Sequence, residues 1–129
     1  VTPSGLGATQ ARGGHQAGDQ ALKEVVRILN LGVRSVDMVA RYGGEEFVVV
    51  LPETSFEGAV EAAERLRRLI DNHRFPCGEL TSSIGVVSTD YVNGDGPDAK
   101  ELFARADKAL FQAKQNGKNQ VVVWRQEEE

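Results

Sequence analysis

Apolar residues recur along the chain at two spacings. From Asp19 onward Leu22, Val25, Val26 and Leu29 follow a helical period, with Asp19 near the positive end of the helix and Gly32 placed to stop it. Val33 to Tyr42 leads into Gly43-Gly44, and Phe47 to Leu51 is a continuous apolar run of strand length, which predicts a hairpin. Thr54 and Glu57 have capping-box spacing ahead of a second helix reaching about Asn72, with Ala59, Ala62, Ala63, Leu66, Leu69 and Ile70 on one face. Pro76 and Gly78 break that helix, Leu80 to Ser88 is rich in strand formers, and Asn93 to Pro97 reads as a loop. Asp98 and Glu101 open a third helix whose buried stripe is Leu102, Phe103, Ala106, Leu110 and Ala113, ended by Gly117. Val121 to Trp124 is a last strand. Residues 1–17 lack periodicity, which predicts irregular chain or a short weak strand ahead of a core spanning 18–125, with a frayed tail at 126–129. The alternation predicts an α/β sandwich over residues 1–129, a central mixed sheet flanked by helices.

Composition narrows the functional classes. The 129 residues carry a net charge of −4, with 40% hydrophobic and 26% charged residues, the balance of a soluble globular domain. No apolar run approaches the ~20 residues that span a bilayer. Net negative charge without a basic stripe argues against a nucleic-acid polymer as partner, because phosphate neutralisation supplies most non-specific affinity. Cys77 is the lone cysteine, so no internal disulfide forms, and with His15 and His73 far apart it makes no zinc cluster. A reducing cytoplasm is the expected setting. The chain starts at Val1 without a signal-peptide pattern, and a fragment of a longer protein is expected. No Asp or Glu precedes Asp19, whereas five of the 14 glycines fall within residues 1–18.

The sharpest local chemistry lies at Arg41-Tyr42-Gly43-Gly44-Glu45-Glu46-Phe47. Two glycines at a hairpin tip let backbone N–H groups approach a ligand closely, and Glu45 and Glu46 beside them suit Mg²⁺ held against phosphate oxygens. A plain hairpin with an acidic flank is the bland alternative. Lys114 and Lys118 lie four apart across the end of the third helix, where cations meet either a phosphate or simply the helix dipole.

The same loop, together with Gly14-His15-Gln16-Ala17-Gly18-Asp19, Ala63-Glu64-Arg65-Leu66-Arg67, Ser83-Ile84-Gly85-Val86 and Ala106 to Asn119 in that order, resembles the GGDEF family, the diguanylate cyclase domain, in its GGEEF form. The resemblance covers about residues 13–124. It implies the palm-like fold related to adenylate cyclases and condensation of two GTP molecules into cyclic di-GMP by an antiparallel dimer. It further implies Glu45 as a metal ligand and Gly43-Gly44 under the triphosphate. Asp19 would face the guanine edge, and Lys114 and Lys118 the phosphates, with Lys118 standing where the family commonly has arginine. Arg34-Ser35-Val36-Asp37 falls at the family's RxxD position, the inhibitory site for cyclic di-GMP, to which Arg65 adds a cation. The chemistry suits a guanine: arginine donates to O6 and N7, and aspartate accepts from N1–H and the exocyclic amine. Outside the family, the Arg34 and Asp37 pair is an ordinary surface ion pair.

The first strand departs from the family pattern. Counting back from Gly14 sets Thr2 and Ser4 where an Asp-x-Asp pair is expected, Leu6 at an aromatic, Gly7 at a lysine and Gln10 at an asparagine. Mg²⁺ prefers carboxylates, and a threonine hydroxyl is a poor neutral substitute. The expectation is therefore a degenerate GGDEF domain that binds cyclic di-GMP through Arg34, Asp37 and Arg65. Two rivals stand beside it: a working cyclase holding Mg²⁺ and GTP at Glu45 and Glu46, and a nucleotide-free dimerisation module. The implied partners are a second copy of the domain and a fused sensory or regulatory domain.

Overall fold

The computed structural model describes residues 2–4, 6–75, 78–89 and 98–125, with side chains described from Gly18 onward. Pro76, Cys77, the 93–97 loop, the 126–129 tail and the His15 side chain lie outside the described residues. The elements are β1 (Thr2–Ser4), α1 (Leu6–Leu31), β2 (Met38–Gly43), β3 (Glu46–Val50), α2 (Phe56–Asn72), β4 (Thr81–Val86), α3 (Ala99–Gln115) and β5 (Val121–Val123).

The first helix corrects one expectation. It begins at Leu6 rather than near Asp19, so most of 1–17 is helical and Asp19 sits in mid-helix. Ala8, Gln10, Ala11, Arg12, Gln16 and Ala17 are strong helix formers, and they offset Gly13 and Gly14 at about 1 kcal/mol each. Propagation from a half already anchored in the core adds one hydrogen bond per residue fixed, without a second nucleation. The anchored half is Ala21, Leu22, Val25, Ile28 and Leu29, all buried. Gly32 ends the helix, its N–H donating to the Ile28 and Leu29 carbonyls.

Helix α2 is also capped one residue later than the spacing predicts. Ser55, with β-region backbone, is the N-cap, and its Oγ accepts from the Gly58 N–H at 3.0 Å. Thr54 is freed for another role. Ala59, Ala62, Ala63, Leu66 and Ile70 are buried as predicted, but Leu69 is exposed. Helix α3 is capped by Asp98, whose Oδ1 accepts from the Glu101 N–H at 2.8 Å. It closes with the Lys118 N–H on the Ala113 carbonyl at 2.9 Å and Gly117 at φ +115°, a left-handed turn that glycine enters without strain.

Three strands form a mixed sheet ordered β1-β4-β5. Strand β1 runs antiparallel to β4, with Thr2 opposite Ser83 and Ser4 opposite Thr81. Strand β5 runs parallel to β4, as expected for strands joined through a helix, with Ile84 opposite Val121 and Val86 opposite Val123. The β2-β3 hairpin pairs within itself, from Met38 opposite Val50 to Gly43 opposite Glu46, with a bulge after Arg41. Its Phe47 is 1% exposed and joins α1, α2 and β4 in one apolar core. Helix α3 lies directly on β4. A Cβ on Gly85 would stand 2.2 Å from the Ala106 carbonyl oxygen and 2.4 Å from the Leu110 nitrogen, so only glycine fits there. Of the stripe predicted for α3, Leu110 and Ala113 are buried, whereas Leu102, Phe103 and Ala106 are half-buried.

Candidate functional site

The hairpin tip is built by Gly44, at φ +52°, and clamped by Arg41. The Arg41 guanidinium donates to the Gly44 carbonyl from Nε at 2.8 Å and Nη2 at 2.6 Å, fixing the turn from below. Nothing lies within 4 Å of where a Cβ would stand on Gly43 or Gly44, so the backbone there is open to a ligand. Glu45 is exposed in the turn, and Glu46 is half-buried at the start of β3. The Tyr42 ring packs on Phe103 of α3, centroids 4.4 Å apart.

The other residues expected around this tip lie on α1 and at and just beyond the end of α3. Asp19 is exposed on α1. Lys114 and Lys118 are exposed at the far end of α3, and the 11 residues from Phe103 to Lys114 span roughly 16 Å of helix at ~1.5 Å per residue. Lys118 occupies a left-handed backbone (φ +66°), with Asn119 beside it held by the Arg67 Nη1 at 3.0 Å.

A Mg²⁺ ion requires several oxygen ligands in near-octahedral geometry. Among the described residues no group of three or more Asp, Glu, His or Cys side chains converges to supply them. Glu45 is a single exposed carboxylate, and β1 offers Thr2 and Ser4, which carry no charge. Mg²⁺ at phosphate sites takes one or two carboxylates together with the phosphate oxygens, and Glu45 and Glu46 are the carboxylates that the hairpin tip offers.

The Arg34, Asp37 and Arg65 residues, by contrast, are gathered at the C-terminal end of α1. The Asp37 N–H donates to the Arg34 carbonyl at 3.0 Å, and the Arg34 N–H returns a bond to Asp37 Oδ2 at 2.7 Å, closing a tight turn. Arg34 Nη2 donates to Asp37 Oδ1, to the Pro52 carbonyl and to Thr54 Oγ1, each at 2.8 Å. Arg65 Nε and Nη2 donate to the Gly32 carbonyl at 3.0 and 2.9 Å, capping α1 from α2. The Asp37 side chain is only 2% exposed, while that of Arg34 is 52% exposed. The Arg34 hydrogen bond holds the Asp37 carboxyl below its usual range against the opposing effect of burial, and the Arg34 backbone N–H and the Arg65 charge add to it. Arg34 is correspondingly raised, first by the bond to Asp37. Asp37 therefore faces Arg34 rather than solvent, and it orients the guanidinium. Sequence spacing gave no sign of Thr54 or the Pro52 carbonyl as partners, since Thr54 reads as a helix cap.

A mixed sheet covered by helices, with a glycine-tipped hairpin packed into the same core, defines a palm-like domain. The chain belongs to the GGDEF family: the family model described as diguanylate cyclase, GGDEF domain, matches residues 8–120. Diguanylate cyclase A of Treponema denticola is 43% identical over 114 residues, which cover 85% of this chain and 30% of that protein. Response regulator PleD of Caulobacter vibrioides is 40% identical over 115 residues, 84% of this chain and 25% of its own length. The chain thus spans about a quarter to a third of these relatives. Among solved structures, the active GGEEF domain of a diguanylate cyclase from Vibrio cholerae aligns at a TM-score of 0.83 with 28% identity, covering 98% of this chain and 80% of that one. The GGDEF domain of DgcB from Caulobacter crescentus in complex with c-di-GMP aligns at 0.85 with 25% identity, covering 95% and 73%. Among the described residues, no helix is long and apolar enough to cross a membrane.

Proposed function

We propose that this domain is a cyclic di-GMP receptor derived from a cyclase scaffold, with little or no turnover of GTP. The observation that carries it is the Arg34 guanidinium, oriented on its inner side by Asp37, Pro52 and Thr54 while half its surface stays open, with a second arginine, Arg65, alongside. The Arg34 Nη1, which lies outside these bonds, can donate to guanine O6 or N7 with little loss of side-chain freedom on binding. Asp37 acts chiefly as the positioning residue. It reaches a guanine N1–H only by turning out of its bond to Arg34. The DgcB domain in complex with c-di-GMP supports the ligand class.

The neutral β1, with Thr2 and Ser4 where a carboxylate pair is expected, supports loss of catalysis, since in-line displacement at a phosphate needs charge stabilisation of both attacking and leaving oxygens. The rival reading, a working cyclase, draws on the clamped and open hairpin tip and on the likeness to the active Vibrio cholerae GGEEF domain. In the receptor reading the domain works in the cytoplasm within a longer polypeptide, a ligand with two guanines bridging two copies.

Calorimetric titration with cyclic di-GMP tests the proposal. Heat that is lost in Arg34→Ala and weakened at least tenfold in Arg34→Lys is the expected result. No heat with the parent protein overturns it. Incubation with GTP and Mg²⁺ should leave GTP unconverted, whereas turnover abolished by Glu45→Ala would establish the cyclase reading instead.

A further inference from the structure

The turn that follows α3 is more constrained than stopping a helix requires. Gly117, at φ +115°, already lets the chain leave α3 in a left-handed step, yet Lys118 and Asn119 continue it at φ +66° and +49°. A left-handed backbone crowds the Cβ of an L-residue against the following carbonyl oxygen, and lysine has no short polar side chain to offset that locally. The conformation is held from two sides. Gln120 Nε2 donates to the Asn116 and Lys118 carbonyls at 3.1 and 3.2 Å. Arg67, on α2, donates from Nη1 to Asn119 Oδ1 at 3.0 Å, across 52 residues of sequence.

The Arg67 side chain is 18% exposed, and its Nε and Nη2 both donate to Glu64 Oε2, at 3.3 and 3.1 Å. Asp71 Oδ2 stands 4.0 Å from Nη1. One edge of the guanidinium fork is thus neutralised within α2, and the other holds the turn. A lysine, without the planar fork, could serve Glu64 or Asn119 but not both. The side chain of Lys118 itself is left unused: Lys118 is exposed, and among the described residues its ammonium has no hydrogen-bond or ion-pair partner.

The sheet register fixes where that lysine stands. Ser4, at the end of β1, is opposite Thr81, and on the other side of β4 Val121 is opposite Ile84. The parallel register, carried back from Val121 to Lys118, brings the turn to the level of Thr81 and Ser4. It therefore lies at the end of the sheet where β1 runs into α1 at Leu6. Two strand spacings of ~4.8 Å set it roughly 10 Å from that junction. A helix N-terminus presents free N–H groups and favours negative charge, so the unpaired lysine and the start of α1 flank a place suited to a phosphate chain.

We infer that Arg67 is a positioning residue: through Asn119 it fixes the left-handed turn that presents Lys118 to the phosphates of GTP. Arg67 touches no ligand itself. The inference rests on Lys118 as a phosphate contact, and it is independent of the Arg34 site and of whether bound GTP is turned over.

Calorimetric titration of the 129-residue chain with GTP and Mg²⁺ tests it. Lys118→Ala should weaken GTP binding at least tenfold and Arg67→Lys at least fivefold, with cyclic di-GMP affinity within twofold of the parent in both. Combined, the two substitutions should weaken GTP no more than Lys118→Ala alone, as expected of a residue that acts through Lys118. Asn119→Ala, which removes the same bond from the turn side and leaves the core intact, should reproduce the loss seen in Arg67→Lys. Asn119→Gly, which enters a left-handed turn without help, should make GTP affinity insensitive to Arg67→Lys. Parent-like GTP binding in Arg67→Lys overturns the inference, and so do losses that add in the double variant. A loss that Asn119→Gly does not relieve overturns it by giving Arg67 a purely structural role. Absence of GTP binding by the parent chain overturns it as well.

Discussion

Asp37 is the residue on which the receptor site turns, because its carboxylate is buried and spent on Arg34. Its protonation equilibrium is displaced downward by that bond, and Glu24 is displaced the same way, first by Arg27 and also by His73. A carboxyl whose folded value lies below its unfolded value stabilises the fold fully above the ordinary carboxylate range. The contribution is lost as pH falls below about 4 toward the folded value. Melting temperature and cyclic di-GMP affinity should therefore be flat from pH 8 to 5 in this respect and fall together below pH 4. Asp37→Asn should remove part of the acid-side slope in thermal melts and weaken ligand binding at pH 7, whereas Glu24→Gln should flatten the slope with binding unchanged. An unaltered acid slope in both variants would refute the assignment. The Arg34 and Asp37 spacing was legible in the sequence, being a local i, i+3 pair. The Thr54 hydroxyl and Pro52 carbonyl were not, because 20 and 18 residues separate them from Arg34 and only tertiary folding brings them together.

Two adjacent hydroxyls divide between them the duties that a capping motif assigns to one. Thr54 with Glu57 satisfies the capping-box spacing, yet Ser55 takes the cap and Thr54 turns to Arg34. Sequence spacing alone cannot separate the two, since the choice depends on where the preceding turn delivers the chain. The division makes the two substitutions distinguishable. Ser55→Ala should cost about 1 kcal/mol in chemical denaturation and leave cyclic di-GMP affinity within twofold. Thr54→Ala should leave α2 capped and weaken the ligand severalfold, because the guanidinium loses one of its three anchors. Equal effects on stability with no effect on binding would show that Thr54 is merely part of the cap. The helix periods themselves were read correctly wherever a face is covered, as in α2. On α3 they hold at Leu110 and Ala113, whereas Leu102, Phe103 and Ala106, which line an open cleft beside β3 and β4, are half-buried.

At the scale of the whole molecule, the contribution of the first residues was the least legible feature. Residues 1–17 show no apolar period, yet Thr2–Ser4 pair with β4 and the helix starts at Leu6. A three-residue strand leaves almost no periodic trace, and its existence depends on β4, almost eighty residues away in sequence. That dependence can be tested by deletion. A three-residue antiparallel ladder supplies about two backbone hydrogen bonds, worth roughly 1 kcal/mol each in net terms. Strand β4 beneath it buries Ser82 and Ser83 completely, and neither hydroxyl has a hydrogen-bond partner among the described residues. Removing residues 1–5 should therefore weaken the fold by about 2 kcal/mol, lowering the melting temperature by roughly 8 °C for a domain of this size. The loss is tempered because the two hydroxyls regain water. The uncovered edge of β4 should also make the shortened chain associate with rising concentration, as unpaired edges do. Calorimetry and sedimentation velocity on the two chains measure both effects. A shortened chain that melts at the parent temperature and stays monomeric would mean that β1 lies outside the cooperative fold, and that β4 is protected by something other than its ladder with Thr2–Ser4.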